Sequence, residues 1–185
     1  MNREDWLARL ASKMGKRFEA EGYPLPAIRM ACGFPSTGKR SKRIGECWTD
    51  SASEDGTHEI FIHPNMAEPH RVADILCHEL IHTAVGIDAK HGPAFKKLAN
   101  AMGLIGPMKA TTAGPEFEAW TAPLIAKLGP YPHASLGGAT TTTKTQTTRM
   151  IKLVCSECGY QLRTTRKWIE IGVPTCFCGT EFTES

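Results

Sequence analysis

Leu7, Leu10, Met14 and Phe18 recur at helical spacing near the start of the chain, so an amphipathic helix is expected there, stopped at Gly22-Tyr23-Pro24. Three short stretches follow, at residues 27–31, 44–49 and 58–62, whose alternating or clustered apolar positions predict strands of a small sheet. The pattern then changes. Pro69 suits a first helical turn, and Val72, Ile75, Leu76, Leu80, Ile81 and Val85 make a helix apolar on most faces, which marks it as buried. Phe95, Leu98, Ala99 and Met102 predict a further helix capped at Gly103. Residues 117–128 predict another, with Pro123 near its middle expected to kink or break it. This is an α+β arrangement.

From residue 134 to 148 the periodicity vanishes, Gly and Thr dominate, and residues 140–143 are all threonine, which reads as a flexible linker. The expected organisation is a main domain over 1–132, a linker over 133–149 and a small module over 150–185. That module carries Cys155-x-x-Cys158 and Cys176-x-Cys178, separated by 17 residues, which fits a four-cysteine zinc ribbon. The second pair has a one-residue spacer instead of two, but Gly159 and Gly179, each following a cysteine, free the tight turns such knuckles require. Residues 161–165 and 167–171 are expected to pair as strands. A piece of about 36 residues buries too little surface to fold alone, so a structural zinc would supply its stability. Two disulfides are the alternative.

The buried helix also carries His78-Glu79-Leu80-Ile81-His82. Residues i and i+4 share a helix face, so His78 and His82 can offer two imidazole nitrogens to one metal. Glu79 lies about 100° further round, badly placed as a ligand but within reach of a water at that metal, which makes it the natural general base. Two histidines and a glutamate in such a helix require polar or metal partners, because burying them unpaired costs several kcal/mol. For a third ligand, His91 ranks first. It sits nine residues after His82, where Gly86 ends the helix and Pro93 opens the next. Glu116 ranks second, with Asp88 and Glu118 as further rivals. The metzincin spacing, with a third histidine six residues after the second, is not met.

The order of these features carries a resemblance. A strand-like His58-Glu59-Ile60-Phe61-Ile62, the His-Glu-x-x-His helix, His91-Gly92-Pro93-Ala94-Phe95 and then a cysteine module resemble the SprT-like family of zinc metallopeptidases, to which the Spartan proteases belong. The likeness covers roughly residues 1–132. It implies a small zincin-like domain, a catalytic zinc held by His78, His82 and His91, and Glu79 as the catalytic acid/base. It also implies proteolysis of DNA-bound proteins, an activity characteristic of the Spartan branch.

Charge and cysteine usage add the surroundings. Residues 1–6 lack the apolar run of a signal peptide, and no segment reaches the ~18 apolar residues of a membrane span, so a cytoplasmic chain without a membrane partner is expected. Of seven cysteines, Cys32, Cys47 and Cys77 fall outside the ribbon, an odd remainder that fits a reducing compartment. Net charge is only +3, yet Lys39, Arg40, Lys42 and Arg43 share one loop, and Lys144, Arg149, Lys152, Arg163, Arg166 and Lys167 thread the linker and ribbon beside Trp168. Both groups could meet DNA phosphates. The function expected is a zinc-dependent endopeptidase acting on protein substrates, with residues 58–62 as an edge strand that holds the substrate extended, and Tyr131 or His133 as candidate oxyanion donors. The contrasting expectation is a nucleic-acid or transcription adaptor that works through the ribbon.

Overall fold

The first helix, α1 (Arg3–Ala20), starts where Asn2 accepts a hydrogen bond from the Asp5 N–H at 2.7 Å and the Asp5 carboxylate reaches back to Asn2 N. Its stripe of Trp6, Leu7, Leu10, Met14 and Phe18 is fully buried. The Trp6 indole donates to the Gly129 carbonyl at 3.0 Å, so even the polar atom of this anchor is satisfied. The computed structural model describes residues 1–39, 41–136 and 149–185 and divides into two units, Met1–Ala139 and Thr140–Ser185.

In the first unit, β1 (Ile28–Cys32), β2 (Gly45–Trp48) and β3 (His58–Ile62) form a sheet in the order β1-β3-β2, with β3 parallel to β1 and antiparallel to β2. Residues 58–62 are therefore the central strand, not the edge expected from the sequence. Ile60 and Ile62 are fully buried in the core, and both sides of β3 are occupied by ladder partners. The free edge beside the buried helix α2 (Pro69–Val85) is β2. Gly45 permits that proximity, since a Cβ there would lie 2.5 Å from Glu79 Oε1 and 2.7 Å from Ile75 Cγ2.

After α2 come α3 (Pro93–Ala101), a short ribbon of β4 (Leu104–Ile105) and β5 (Thr112–Ala113), and α4 (Pro115–Leu128). The expected break at Pro123 does not occur. Pro123 and Ala119, whose carbonyl loses its helical donor, lie on the exposed face, where water can take the free oxygen. Phe117, Thr121 and Ile125 hold the opposite face in the core.

The second unit contains β6 (Ile151–Cys155), β7 (Gln161–Thr164), α5 (Arg166–Ile171) and β8 (Phe182–Glu184), with a sheet in the order β7-β6-β8, antiparallel throughout. Residues 167–171, expected as a strand, are instead the helix α5. Arg166, Lys167 and Glu170 favour helix strongly enough to outweigh Ile169 and Ile171, and β8 takes the vacant place beside β6. Most of the expected linker, residues 137–148, lies outside the described residues, as does Arg40.

Candidate metal centre

His78 and His82 are one turn apart on α2 and face the same side. Gly86, at φ 85°, ends the helix, and the single 3-10 turn Ile87–Ala89 brings His91 back to face them. The candidate ligand nitrogens of the three histidines lie within 4.8 Å of one another, and His78 Nε2 is 3.3 Å from His91 Nε2. Two nitrogens each ~2.0–2.1 Å from a tetrahedral zinc would stand about 3.3 Å apart, so the donor set fits zinc in both chemistry and spacing.

Electrostatics favours the ligand form. Burial, then His82, His91 and Arg71, push His78 down to about 3, and burial with His91 pushes His82 down to about 4. Burial and the Lys109 ammonium lower His91 as well. All three rings are then neutral at ordinary pH, which is the state a metal requires. His78 Nδ1 stands 2.8 Å from Thr111 Oγ1, leaving Nε2 for the metal. Phe95 packs against all three imidazoles, with ring centroids 4.8, 4.6 and 5.0 Å from those of His78, His82 and His91.

Glu79 points toward β2 and is only 7% exposed, yet its carboxylate has no hydrogen-bond partner among the described residues. Burial, reinforced by Glu46 and opposed by Arg43, raises it to about 8. An unpartnered carboxyl held this high can both take and return a proton near neutrality. Glu79 and the histidines line one open cleft of about 1030 Å³, walled by β2 on one side and by residues 109–111 and His91 on the other. That volume exceeds most small-molecule pockets and suits a length of chain.

The family model described as SprT-like matches residues 9–122, more than half of the chain. The chain belongs to the SprT-like family. No curated protein and no solved structure matches it. Family membership makes the first unit metallopeptidase-like, and the matched stretch runs from α1 into α4, taking in the histidine cluster and Glu79. It ends well before Cys155, so the cysteine module of this SprT-like chain rests on its own geometry. There Cys155 Sγ is 3.4 Å from Cys178 Sγ, Cys158 Sγ is 3.4 Å from Cys176 Sγ, and Cys158 and Cys178 are 3.8 Å apart. Disulfide sulfurs lie ~2.05 Å apart, whereas two thiolates ~2.3 Å from a tetrahedral zinc stand about 3.8 Å apart. All four cysteines are free, and their sulfurs form a cluster consistent with a zinc ribbon.

Asp88, Glu116 and Glu118 stay outside the histidine cluster, and Glu116 is engaged by Arg17 at 3.0 Å. Tyr131 and His133 are absent from the cleft lining. Tyr131 packs on Trp6 in the core, and His133 stands 2.7 Å from the Pro64 carbonyl and 3.2 Å from Arg3, so neither meets the expectation of an oxyanion donor. Cys77 is buried and lies outside both candidate clusters. The basic loop is less uniform than its sequence. Arg43 donates to Glu46 at 2.6 Å, and buried Glu46 also accepts from Ser36 N, Ser36 Oγ and Trp48 Nε1, tying Ser36, Arg43 and Trp48 together behind the β2 wall of the cleft. No helix among the described residues is long and apolar enough to cross a membrane.

Thr111 escaped the sequence reading, since it lies 33 residues from His78 and belongs to no motif. The Asp74 carboxylate accepts from Ala113 N at 3.1 Å and so holds the Thr111 segment against α2. Thr111→Val, which keeps the shape and removes the hydroxyl, is expected to weaken zinc at the histidines by ~10–100-fold with little change in melting temperature. Competition with a chromogenic chelator measures it, and an unchanged affinity would remove Thr111 from the site.

Proposed function

We propose that the first unit is a zinc-dependent endopeptidase that cuts extended protein segments laid along β2. The observation that carries this reading is Glu79, a buried carboxyl without a protein partner, beside a three-histidine donor set and against a free strand edge. Bound at His78, His82 and His91, zinc would polarise the scissile carbonyl and make a water acidic enough to attack near neutral pH. Glu79 takes the proton from the attacking water and later gives it to the leaving amine.

The strand edge supplies the positioning. His63 N donates to Ile44 O at 2.9 Å, which marks that position as a hydrogen-bonded pair of the β2-β3 ladder. By alternation Glu46 also turns its backbone toward β3, while Gly45 and Cys47 turn their N–H and C=O groups outward. A substrate strand pairing with those groups would run alongside Gly45, against which Glu79 packs. Gly45→Val tests the arrangement. Its side chain would drive β2 away from Glu79 and Ile75, and a displacement near 1 Å in a catalytic site costs on the order of 10²-fold in rate, so kcat/KM should fall by that order while zinc content holds. The four cysteines of the second unit are assigned a separate, structural zinc.

The deciding experiment is digestion of an unfolded protein, such as reduced and alkylated casein, by the zinc-loaded full chain. Cleavage should disappear with chelation and return with zinc. Intact casein after incubation with fully loaded protein would instead favour an adaptor role for this chain.

A further inference from the structure

The rim of the cleft is unevenly charged. Lys42 borders it on the β2 side, and Lys90 and Lys109 border it on the side of His91. All three are exposed and none forms an ion pair among the described residues. Among the described residues, the other two cations of the lining are occupied, Arg43 by Glu46 and Arg71 by Asp74. The described lining contains two acids, Glu46, which accepts from Ser36, Arg43 and Trp48, and Glu79, assigned to proton transfer. A chain lying in the cleft therefore meets three uncompensated ammonium groups and no free surface carboxylate.

The backbone at Lys90 is independent of this count. With φ 47° it is the one non-glycine residue at positive φ among the described residues, and its ψ of −129° lies in a region that suits glycine. A strained backbone immediately before His91 holds a lysine, and not a glycine, at the rim. Such outliers cluster at active sites, ligand clamps and switch regions.

We propose that this cleft selects acidic protein segments, with Asp or Glu side chains within a few residues of the scissile bond reaching Lys42 on one wall and Lys90 and Lys109 on the other. The inference rests on the endopeptidase reading and specifies its substrate class. Nucleic acid could satisfy the same charges, but the outward N–H and C=O groups of Gly45 and Cys47 in the same cleft match a peptide backbone and have no counterpart on a phosphate chain.

The test uses the zinc-loaded full chain and three fluorogenic peptides of one length, flanked at the cleaved bond by Glu, Gln or Lys. Exposed pairs are individually weak, so the expected order Glu, Gln, Lys spans about tenfold in kcat/KM at low salt, resides mainly in KM, and narrows as salt rises. In the K42E/K90E/K109E variant, with its fold verified by circular dichroism, the order should reverse. Equal cleavage of all three peptides, a preference for Lys, or an order unmoved in the variant overturns the acidic-substrate proposal while leaving the peptidase intact. Absence of peptide preference together with salt-sensitive oligonucleotide binding that the variant loses would assign the rim to nucleic acid. If none of the peptides is cut, both readings fall.

Discussion

Glu79→Gln should retain zinc at the histidines and the native fold while lowering kcat/KM for any cleaved peptide by ~10²–10⁴. The amide is isosteric with the carboxyl, so it occupies the same space beneath Gly45, where a Cβ would already stand 2.5 Å from Oε1. It forfeits no hydrogen bond, because Glu79 has no partner among the described residues, and it does not touch the candidate ligand nitrogens of His78, His82 and His91. What disappears is the capacity to accept a proton. A melting temperature equal to or slightly above that of the parent is expected, since the buried group no longer resists ionisation. Peptide kinetics combined with zinc analysis gives the answer. Undiminished turnover in the variant would contradict the assignment of the general base.

The second large effect belongs to the cysteine module. Cys155→Ser should release one zinc per chain and unfold residues 150–185, leaving the melting of the first unit in place. The apolar core here consists of Leu153, Cys155, Cys176 and Phe182, with Ile151, Leu162 and Ile169 packed against it. That is too little to offset the chain entropy of a piece this size, whereas structural zinc contributes apparent binding energies of ~10–16 kcal/mol in comparable peptides. The backbone N–H of Thr180 and the neighbouring Cys155 draw Cys178 down to about 6, toward the thiolate that a metal requires. The first unit has its own core, built from α1, α2 and the sheet, and does not need these residues. Amide hydrogen exchange distinguishes the two units. A single shared transition, shifted as a whole by the substitution, would contradict the independence of their cores.

Much of the site was legible because its information is local. The i, i+4 pair of His78 and His82 needs only helical periodicity to converge, and Gly86 with Pro93 announces the reversal that returns His91. The stripe of α1 likewise identifies its own buried face. Strand order was not legible. Residues 44–49 and 58–62 both read as short strands, and which of them is central depends on β1 pairing with β3 across the sheet, a fact no local pattern carries. Thr111 and Asp74 remained hidden for a related reason, as their roles arise from contacts 33 and 39 residues apart in sequence. At α5 two isoleucines compete with a run of helix formers in a piece too small for burial to decide.

Zinc held by nitrogen in one unit and by sulfur in the other has a distinct signature in zinc X-ray absorption of the full chain, with metal counted on the same sample. Two zinc ions per chain are expected, with an averaged first shell of sulfur at ~2.3 Å and nitrogen or oxygen at ~2.0–2.1 Å in nearly equal numbers. In the His78→Ala/His82→Ala variant the metal should fall to one and the shell to sulfur alone. One zinc per chain in the parent, with a sulfur-only shell that the histidine substitutions leave unchanged, would contradict the proposed catalytic centre.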